Sequence, residues 1–138
     1  MSLQLERLVY RSTATGTTES ILNLATILAE SQRNNDRDGL TGALAAHRES
    51  YIQVIEGSAQ ALDGLMRRLE GDPRHRDIVI LQRRTAAGRL FADWSMASAR
   101  IDPSVEGALD AMMADGAGSA ERIVDTLLKA VPGARAAA

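Results

Sequence analysis

The chain opens on alternating apolar and polar positions, which is the period of a β-strand. Leu8 and Tyr10 fall on one face and Val9 on the other, so residues 5–12 are predicted to form a short strand. A threonine-rich turn follows, and apolar residues then recur at helical spacing as far as about Asn35. The pattern therefore predicts a strand followed by a helix.

A hairpin and a second helix are predicted next. Gly39 marks a turn into residues 40–46, and a polar turn separates these from residues 51–56. Ser58 is placed to cap a helix with an apolar stripe, and this helix ends at Gly71.

Two more strands are predicted over residues 78–84 and 90–98, with a turn at residues 86–88 between them. The resulting order is β-α-β-β-α-β-β. It predicts an α+β, ferredoxin-like sheet with an added strand and with two helices on one face. Residues 1–101 are expected to form this single domain.

The opposite face of the predicted sheet is also apolar, because the strands place six large side chains there: Val9, Ile52, Val54, Val79, Leu81 and Phe91. Residues 102–138 read as two short helices. This C-terminal extension either packs on the apolar face or leaves it free for self-association.

Composition removes several classes of function. The 138 residues are 45% apolar, enough for a core, and carry a formal net charge of -2, which argues against binding to nucleic acid. The absence of cysteine excludes disulfides, thiolate metal sites and a cysteine nucleophile. No membrane span or signal peptide is visible, so a cytoplasmic location is expected.

Gln53 is the least easily explained residue of the predicted strands. It shares a strand face with Tyr51 and Ile55, and a glutamine inside an apolar layer needs hydrogen-bond partners. The alternative is that this face is wet at Gln53. The aromatic residues Tyr10 and Trp94, taken alone, are typical core residues.

Three other groups invite both a structural and a functional interpretation. Asn34 and Asn35 suit a helix C-terminus, but two adjacent amides also match the polar edge of a pyrimidine-like ring. Arg74 and His75 follow the second helix, where they are either solvated or bind a carbonyl or phosphate. Met96 shares a predicted strand face with Trp94, which by itself indicates core.

Known catalytic templates do not match. No glycine-rich phosphate loop is present, and the two histidines, His47 and His75, are not at metal spacing. No nucleophile-elbow sequence surrounds a serine. The residues therefore do not predict an enzyme.

Taken together, these segments resemble the BLUF family of blue-light sensors that use FAD. The resemblance covers about residues 3–100 and rests on blocks in the family's order: Leu8-Val9-Tyr10 with Ser12, Ser31-Gln32-Arg33-Asn34-Asn35, Gly39-Leu40-Thr41-Gly42, Tyr51-Ile52-Gln53-Val54-Ile55-Glu56-Gly57, Asp72-Pro73-Arg74-His75 and Phe91-Ala92-Asp93-Trp94-Ser95-Met96. It implies non-covalent binding of FAD, with FMN or riboflavin also acceptable in recombinant material. The tail helices resemble those of short members without a fused output domain.

The resemblance also implies roles for residues. Tyr10 would give an electron and a proton to the excited flavin, and Gln53 would bridge Tyr10 and the ring. The two asparagines would hold the polar edge of the ring, while Arg74 and His75 would flank it. Trp94 and Met96 would relay the change in hydrogen bonding around the flavin to the surface. Their strand is expected to shift against the tail helices.

One position departs from the family pattern. Tyr51 stands where the family has phenylalanine, two residues before Gln53. Its hydroxyl either competes with Tyr10 as electron donor or packs like phenylalanine, and we favour the second interpretation.

The resemblance finally implies a signalling output through a separate effector protein of unknown identity. Self-association is expected as well, with the helix that carries Met112 and Met113 as an apolar contact. Two rival functions are a flavin enzyme and a photochemically inactive binding module. The first lacks a nicotinamide motif, and the second would require loss of Tyr10 or Gln53, which are both present.

Overall fold

The computed structural model describes residues 4–14, 21–47, 50–72, 75–92, 96–98, 103–115 and 120–131. Its elements are β1 (Leu5–Ala14), α1 (Ile21–Asp38), β2 (Thr41–His47), β3 (Ser50–Ser58), α2 (Ala59–Glu70), β4 (His75–Thr85), β5 (Ala97–Ser98), α3 (Pro103–Asp115) and α4 (Ala120–Ala130). The sheet order is β4-β1-β3-β2-β5. β1 to β4 pair antiparallel, and β5 runs parallel to β2. This confirms the predicted α+β, ferredoxin-like fold.

The two faces of the sheet carry two separate apolar clusters because side chains alternate along each strand. The first face bears Leu8, Tyr10 and Tyr51 and packs against α1 and α2. The second face bears Val9, Ile52 and Val54 among others. Strand β3 is buried from Tyr51 to Gly57, so it forms the centre of the domain.

The end of α1 lies three residues later than the sequence pattern predicted. Gly39 has a positive φ of 71°, a left-handed conformation that favours glycine, and the Leu40 N–H donates to the Asn35 carbonyl oxygen at 2.8 Å. This is the hydrogen bond that typically closes a helix at a C-terminal glycine. The helix-ending role therefore falls to Gly39, and Asn34 and Asn35 lie inside the last turns of α1.

The start of α2 agrees with the prediction. The Ser58 hydroxyl accepts a hydrogen bond from the Ala61 N–H at 3.1 Å, which satisfies one of the free donors at the helix N-terminus. Gly71 caps the other end, where its N–H donates to the Leu69 carbonyl.

The C-terminal helices cover the second face of the sheet. Leu109 of α3 and Ile123, Val124 and Leu127 of α4 are buried in one cluster with the second-face strand residues. α4 contacts β2 directly. Met112 and Met113 lie on α3, but their side chains are outside the described part of the structure.

Val79 is an exception to the predicted second face, because its side chain is 41% exposed. It lies on β4, one of the two edge strands of the sheet. Two register shifts interrupt the pairing of β4 with β1. Because β4 lies at an edge of the sheet and its pairing is bulged, it turns away from the central part of the second face.

The predicted strand over residues 90–98 is wrong for residues 90–92 and 96, since β5 contains only Ala97 and Ser98. Residues 93–95 lie outside the described residues. The backbone N–H groups of Leu90 and Phe91 donate instead to the Glu56 carboxylate, each at 2.8 Å. Those donors are thereby removed from strand pairing. Phe91 is buried in the second-face cluster while Leu90 is 44% exposed, so Leu90 and the buried Met96 do not share a strand face.

Candidate functional site

A tyrosine and a glutamine meet at the centre of the first face. Tyr10 of β1 and Gln53 of β3 are direct partners in the antiparallel register, and both project toward the helices. The Tyr10 hydroxyl donates to Gln53 Oε1. Gln53 is only 5% exposed, so the interpretation of a wet strand face does not hold.

The other end of the Gln53 amide contacts Met96. Gln53 Nε2 donates to Met96 Sδ at 3.4 Å, and the Met96 backbone carbonyl accepts from Gln32 Nε2 at 3.0 Å. Met96 is 2% exposed and packs in the first-face cluster. A chain of contacts thus runs from Tyr10 through Gln53 to the segment just before β5.

Burial changes the acid chemistry of Tyr10. Its side chain is fully enclosed, and this desolvation, with a smaller contribution from the negative charge of Asp72, raises the pKa of Tyr10 far above its usual value. The phenol therefore keeps its proton at any physiological pH.

A cavity of about 550 Å³ opens beside Gln53 between the first and second helices. Its lining comes from α1, the sheet, α2 and the residues just after α2: Ile27, Glu30, Ser31, Asn34, Asn35, Leu44, Gln53, Leu65, Arg68, Leu69 and Asp72. This volume is within the range of small-molecule sites, about 300–1,000 Å³.

The lining fits a flat heteroaromatic ring. Ile27, Leu44 and Leu65 supply apolar walls, and the amides of Asn34, Asn35 and Gln53 supply donors and acceptors. Asn35 is 1% exposed and Asn34 is half-buried. A flavin, with apolar ring faces and a polar edge, matches this set of side chains.

The structure brings together five of the eight predicted site residues, namely Tyr10, Asn34, Asn35, Gln53 and Met96. Trp94, Arg74 and the side chain of His75 lie outside the described residues. Tyr51 is buried in the first-face cluster but is not among the residues that line the cavity.

Sequence reasoning missed four side chains that the structure places at or near the site. Gln32 holds the Met96 carbonyl, while Arg68 and Asp72 line the cavity. Glu56 is fully buried on the second face and holds the segment that leads to Met96. A charged residue inside an otherwise apolar strand was the available signal for Glu56.

The described part of the chain contains neither a metal-binding cluster nor a membrane-spanning helix. No group of three or more histidine or acidic side chains there is placed to hold a metal ion. The helices described are all too short or too polar to traverse a bilayer.

Comparison with known proteins gives a consistent result. The BLUF family profile, described as sensors of blue-light using FAD, matches residues 5–97. Photoactivated adenylate cyclase subunit beta of Euglena longa is 32% identical over 99 residues, which are 71% of this chain and 12% of that protein.

Solved structures agree with the family match. BlrB, a BLUF protein in its dark state, has a TM-score of 0.78 and 28% identity and is matched over 91% of this chain and 96% of its own. A bacterial light-regulated adenylyl cyclase has a TM-score of 0.71 and 25% identity and is matched over 88% of this chain and 36% of its own. This chain therefore spans nearly all of the BlrB chain but only a small part of the cyclases.

Proposed function

This chain belongs to the BLUF family of blue-light sensors, and on that premise we propose that Tyr10 and Gln53 perform its photochemistry on a bound FAD. The observation that carries the proposal is the buried hydrogen bond from Tyr10 to Gln53 at the wall of the cavity. Ile27, Leu44 and Leu65 would enclose the ring, and Asn34 and Asn35 would bind its polar edge. Arg74 and His75 are proposed to flank the same ring.

Bound flavin supplies absorption of blue light and an excited state that accepts one electron. Tyr10 is the proposed donor. Its phenol is protonated and desolvated, so a charged tyrosine is strongly disfavoured where it lies. Loss of the electron would therefore be coupled to departure of the hydroxyl proton along the hydrogen bond to Gln53 Oε1. The Gln53 amide would stay neutral by releasing a proton from Nε2 toward the flavin, which would take up both the electron and a proton.

Gln53 converts this proton movement into a structural change. Its amide has an acceptor at Oε1, directed at Tyr10, and a donor at Nε2, directed at Met96 Sδ. Rotation or tautomerisation exchanges these properties. After this exchange the Tyr10 hydroxyl faces a donor in place of the Oε1 acceptor, and Met96 Sδ loses its hydrogen-bond donor.

Loss of that donor would release Met96 and pass the signal to β5. Met96 is held by Gln53 and Gln32, and the two residues that follow it pair in parallel with β2. Strand β2 in turn contacts α4. We propose that this segment, including Trp94, shifts against the C-terminal helices.

The output is proposed to be a separate effector protein in the cytoplasm, reached through a self-associating form of this chain. The likeness to BlrB, a BLUF protein, supports the sensor function. The cyclase relatives support an effector of the cyclic-nucleotide class. The chain itself is proposed to be a sensor and not an enzyme.

Substitution of the two tyrosines tests the photochemical proposal. Tyr10→Phe should bind flavin and lose the light-induced red shift of its absorption, because the only change is loss of the donating hydroxyl. Tyr51→Phe is the matched control and should keep the full photocycle, because Tyr10 supplies the hydroxyl that donates to Gln53 and Tyr51 packs in the first-face cluster. A full photocycle in Tyr10→Phe together with its loss in Tyr51→Phe would overturn the assignment.

A further inference from the structure

A buried carboxylate holds the loop after β4 on the second face of the sheet. Glu56 Oε2 accepts from the Leu90 N–H and Glu56 Oε1 from the Phe91 N–H, each at 2.8 Å. Arg7 Nε lies 2.9 Å from Oε2 and balances the charge of the carboxylate. Glu56 is fully buried, so these hydrogen bonds are shielded from water. The backbone of the loop is therefore fixed at Leu90 and Phe91.

Arg89 is a second, exposed hold on the same loop. Its Nη1 donates to Thr41 Oγ1 at 2.9 Å and to the Glu56 carbonyl oxygen at 3.1 Å, while its Nη2 donates to the Gly39 carbonyl oxygen at 2.8 Å. Because Arg89 is exposed, it is expected to contribute less than the buried carboxylate. Glu56 and Arg89 together are called the loop clamp.

The loop clamp limits the positions that Met96 can take. Phe91 is buried in the second-face cluster and Met96, five residues later, in the first-face cluster, so the chain between them passes from one face of the sheet to the other. Five residues reach at most about 17 Å. Because Phe91 is fixed, few positions are open to Met96. A loosened Phe91 would let Met96 reach more of them.

Both ends of this segment are attached to β3. Gln53 Nε2 donates to Met96 Sδ on the first face, and Glu56 accepts from the Phe91 N–H on the second. Gln53 and Glu56 are an odd number of residues apart, which places their side chains on opposite faces of the strand. One strand thus carries the proposed photoactive amide and the anchor of the segment that this amide contacts.

We propose that Glu56 is a positioning residue for Met96 and thereby sets how fast the light-induced state returns to the dark state. After illumination, Met96 has to come back to Gln53 for their hydrogen bond to form again. An anchored segment has few conformations to lose on that return, whereas a loosened segment has many. This inference rests on the proposed function, since it assumes that light releases Met96 from Gln53.

Recovery of the visible absorption in darkness, after blue illumination of the flavin-loaded protein, tests this role. Glu56→Gln keeps the shape of the side chain but offers an NH₂ group to a donor that needs an acceptor. Its light-induced red shift should be unchanged, because the hydrogen bond from Tyr10 to Gln53 is intact. Its recovery should be about tenfold slower, the factor expected from the loss of one buried hydrogen bond.

Arg89→Gln tests the loop clamp at little cost to the fold, because the side chain is exposed. Its recovery should be about threefold slower, with the red shift unchanged. This variant decides the question if Glu56→Gln does not fold, which far-UV circular dichroism establishes.

Two further variants separate positioning from stability. Ser58→Ala removes the hydroxyl that accepts from the Ala61 N–H at the start of α2, so it destabilises the domain without removing a bond to the loop. It should recover at the wild-type rate. Met96→Leu keeps the volume of the side chain but removes the sulfur. If Glu56 acts through Met96, then Glu56→Gln should not slow recovery further in the Met96→Leu protein.

Four results would contradict the inference in different ways. Equal slowing in Glu56→Gln and Ser58→Ala shows that Glu56 only supports the fold. Slowing that persists undiminished in the Met96→Leu protein shows that Glu56 acts by another route. Recovery at the wild-type rate in both loop-clamp variants removes the positioning role but keeps the light sensor. A wild-type protein without a red shift removes the proposed function itself and the inference with it.

Discussion

The buried carboxylate of Glu56 is expected to be one of the largest single contributors to stability in this domain. It is 0% exposed and holds the loop that follows β4. Its Oε2 accepts from Arg7 Nε at 2.9 Å and from the Leu90 N–H at 2.8 Å, while Oε1 accepts from the Phe91 N–H at 2.8 Å. Glu56→Gln replaces one of these acceptors by an NH₂ group.

The cost of this substitution follows from the donors that it leaves unpaired. A buried backbone N–H without an acceptor costs about 1–3 kcal/mol. Breaking a buried ion pair by removing one partner costs about 3–5 kcal/mol, and less is expected here because the Arg7 side chain is 15% exposed. We therefore expect Glu56→Gln to lower the free energy of unfolding by about 3 kcal/mol.

Urea unfolding of the apoproteins, followed by far-UV circular dichroism, measures this difference as a lower midpoint at unchanged slope. Native-state hydrogen exchange should also show lost protection at the Leu90 and Phe91 amides. Glu121→Gln is the control, because Glu121 pairs with Arg84 on the surface, where the two side chains are 73% and 55% exposed. It should cost less than about 1 kcal/mol. A similar small loss in both variants would show that the Glu56 carboxylate is not what holds the loop after β4.

Two further predictions concern glycine positions and the buried phenol. Gly42→Ala should destabilise the domain strongly, because a Cβ there would overlap the Val54 carbonyl oxygen. Gly64→Ala in α2 meets only ordinary contacts and should stabilise the domain by about 0.5–1 kcal/mol. Denaturant midpoints of the two variants check this pair, and a stable Gly42→Ala protein would show that β2 and β3 can separate at little cost. The pKa of Tyr10 is higher in the folded than in the unfolded protein, so its neutral form adds stability that is complete below about pH 10 and is lost as the pH rises above that value. Unfolding free energies from pH 8 to pH 11 should fall less steeply for Tyr10→Phe than for the wild-type protein, and identical slopes would contradict the assigned shift.

The sequence predicted the sheet well where alternation and turn residues agreed. In β1 and β3, period-two alternation predicted the strands and their faces, and a threonine-rich turn after β1 and Gly57-Ser58 after β3 predicted where they end. Leu8 and Tyr10 lie on one face and Val9 on the other for this reason. The pattern left open whether the face of Gln53 is buried or wet, and the structure shows it buried.

The last strand was mispredicted for a reason that local patterning does not contain. Leu90 and Phe91 have the spacing of a strand, but their backbone donors are taken by Glu56, which is more than thirty residues away in sequence. The contact between Met96 and Gln53 was likewise out of reach, because it depends on the path that this loop takes. Long-range polar contacts of buried residues therefore account for most of the difference.

The visible absorption spectrum of the purified protein, recorded in the dark and after blue illumination, decides whether this protein is a flavin-based light sensor. We expect a bound flavin whose absorption shifts slightly to the red in light and returns in darkness. A bound flavin with no shift in light, or a colourless protein that does not take up FAD, would contradict it.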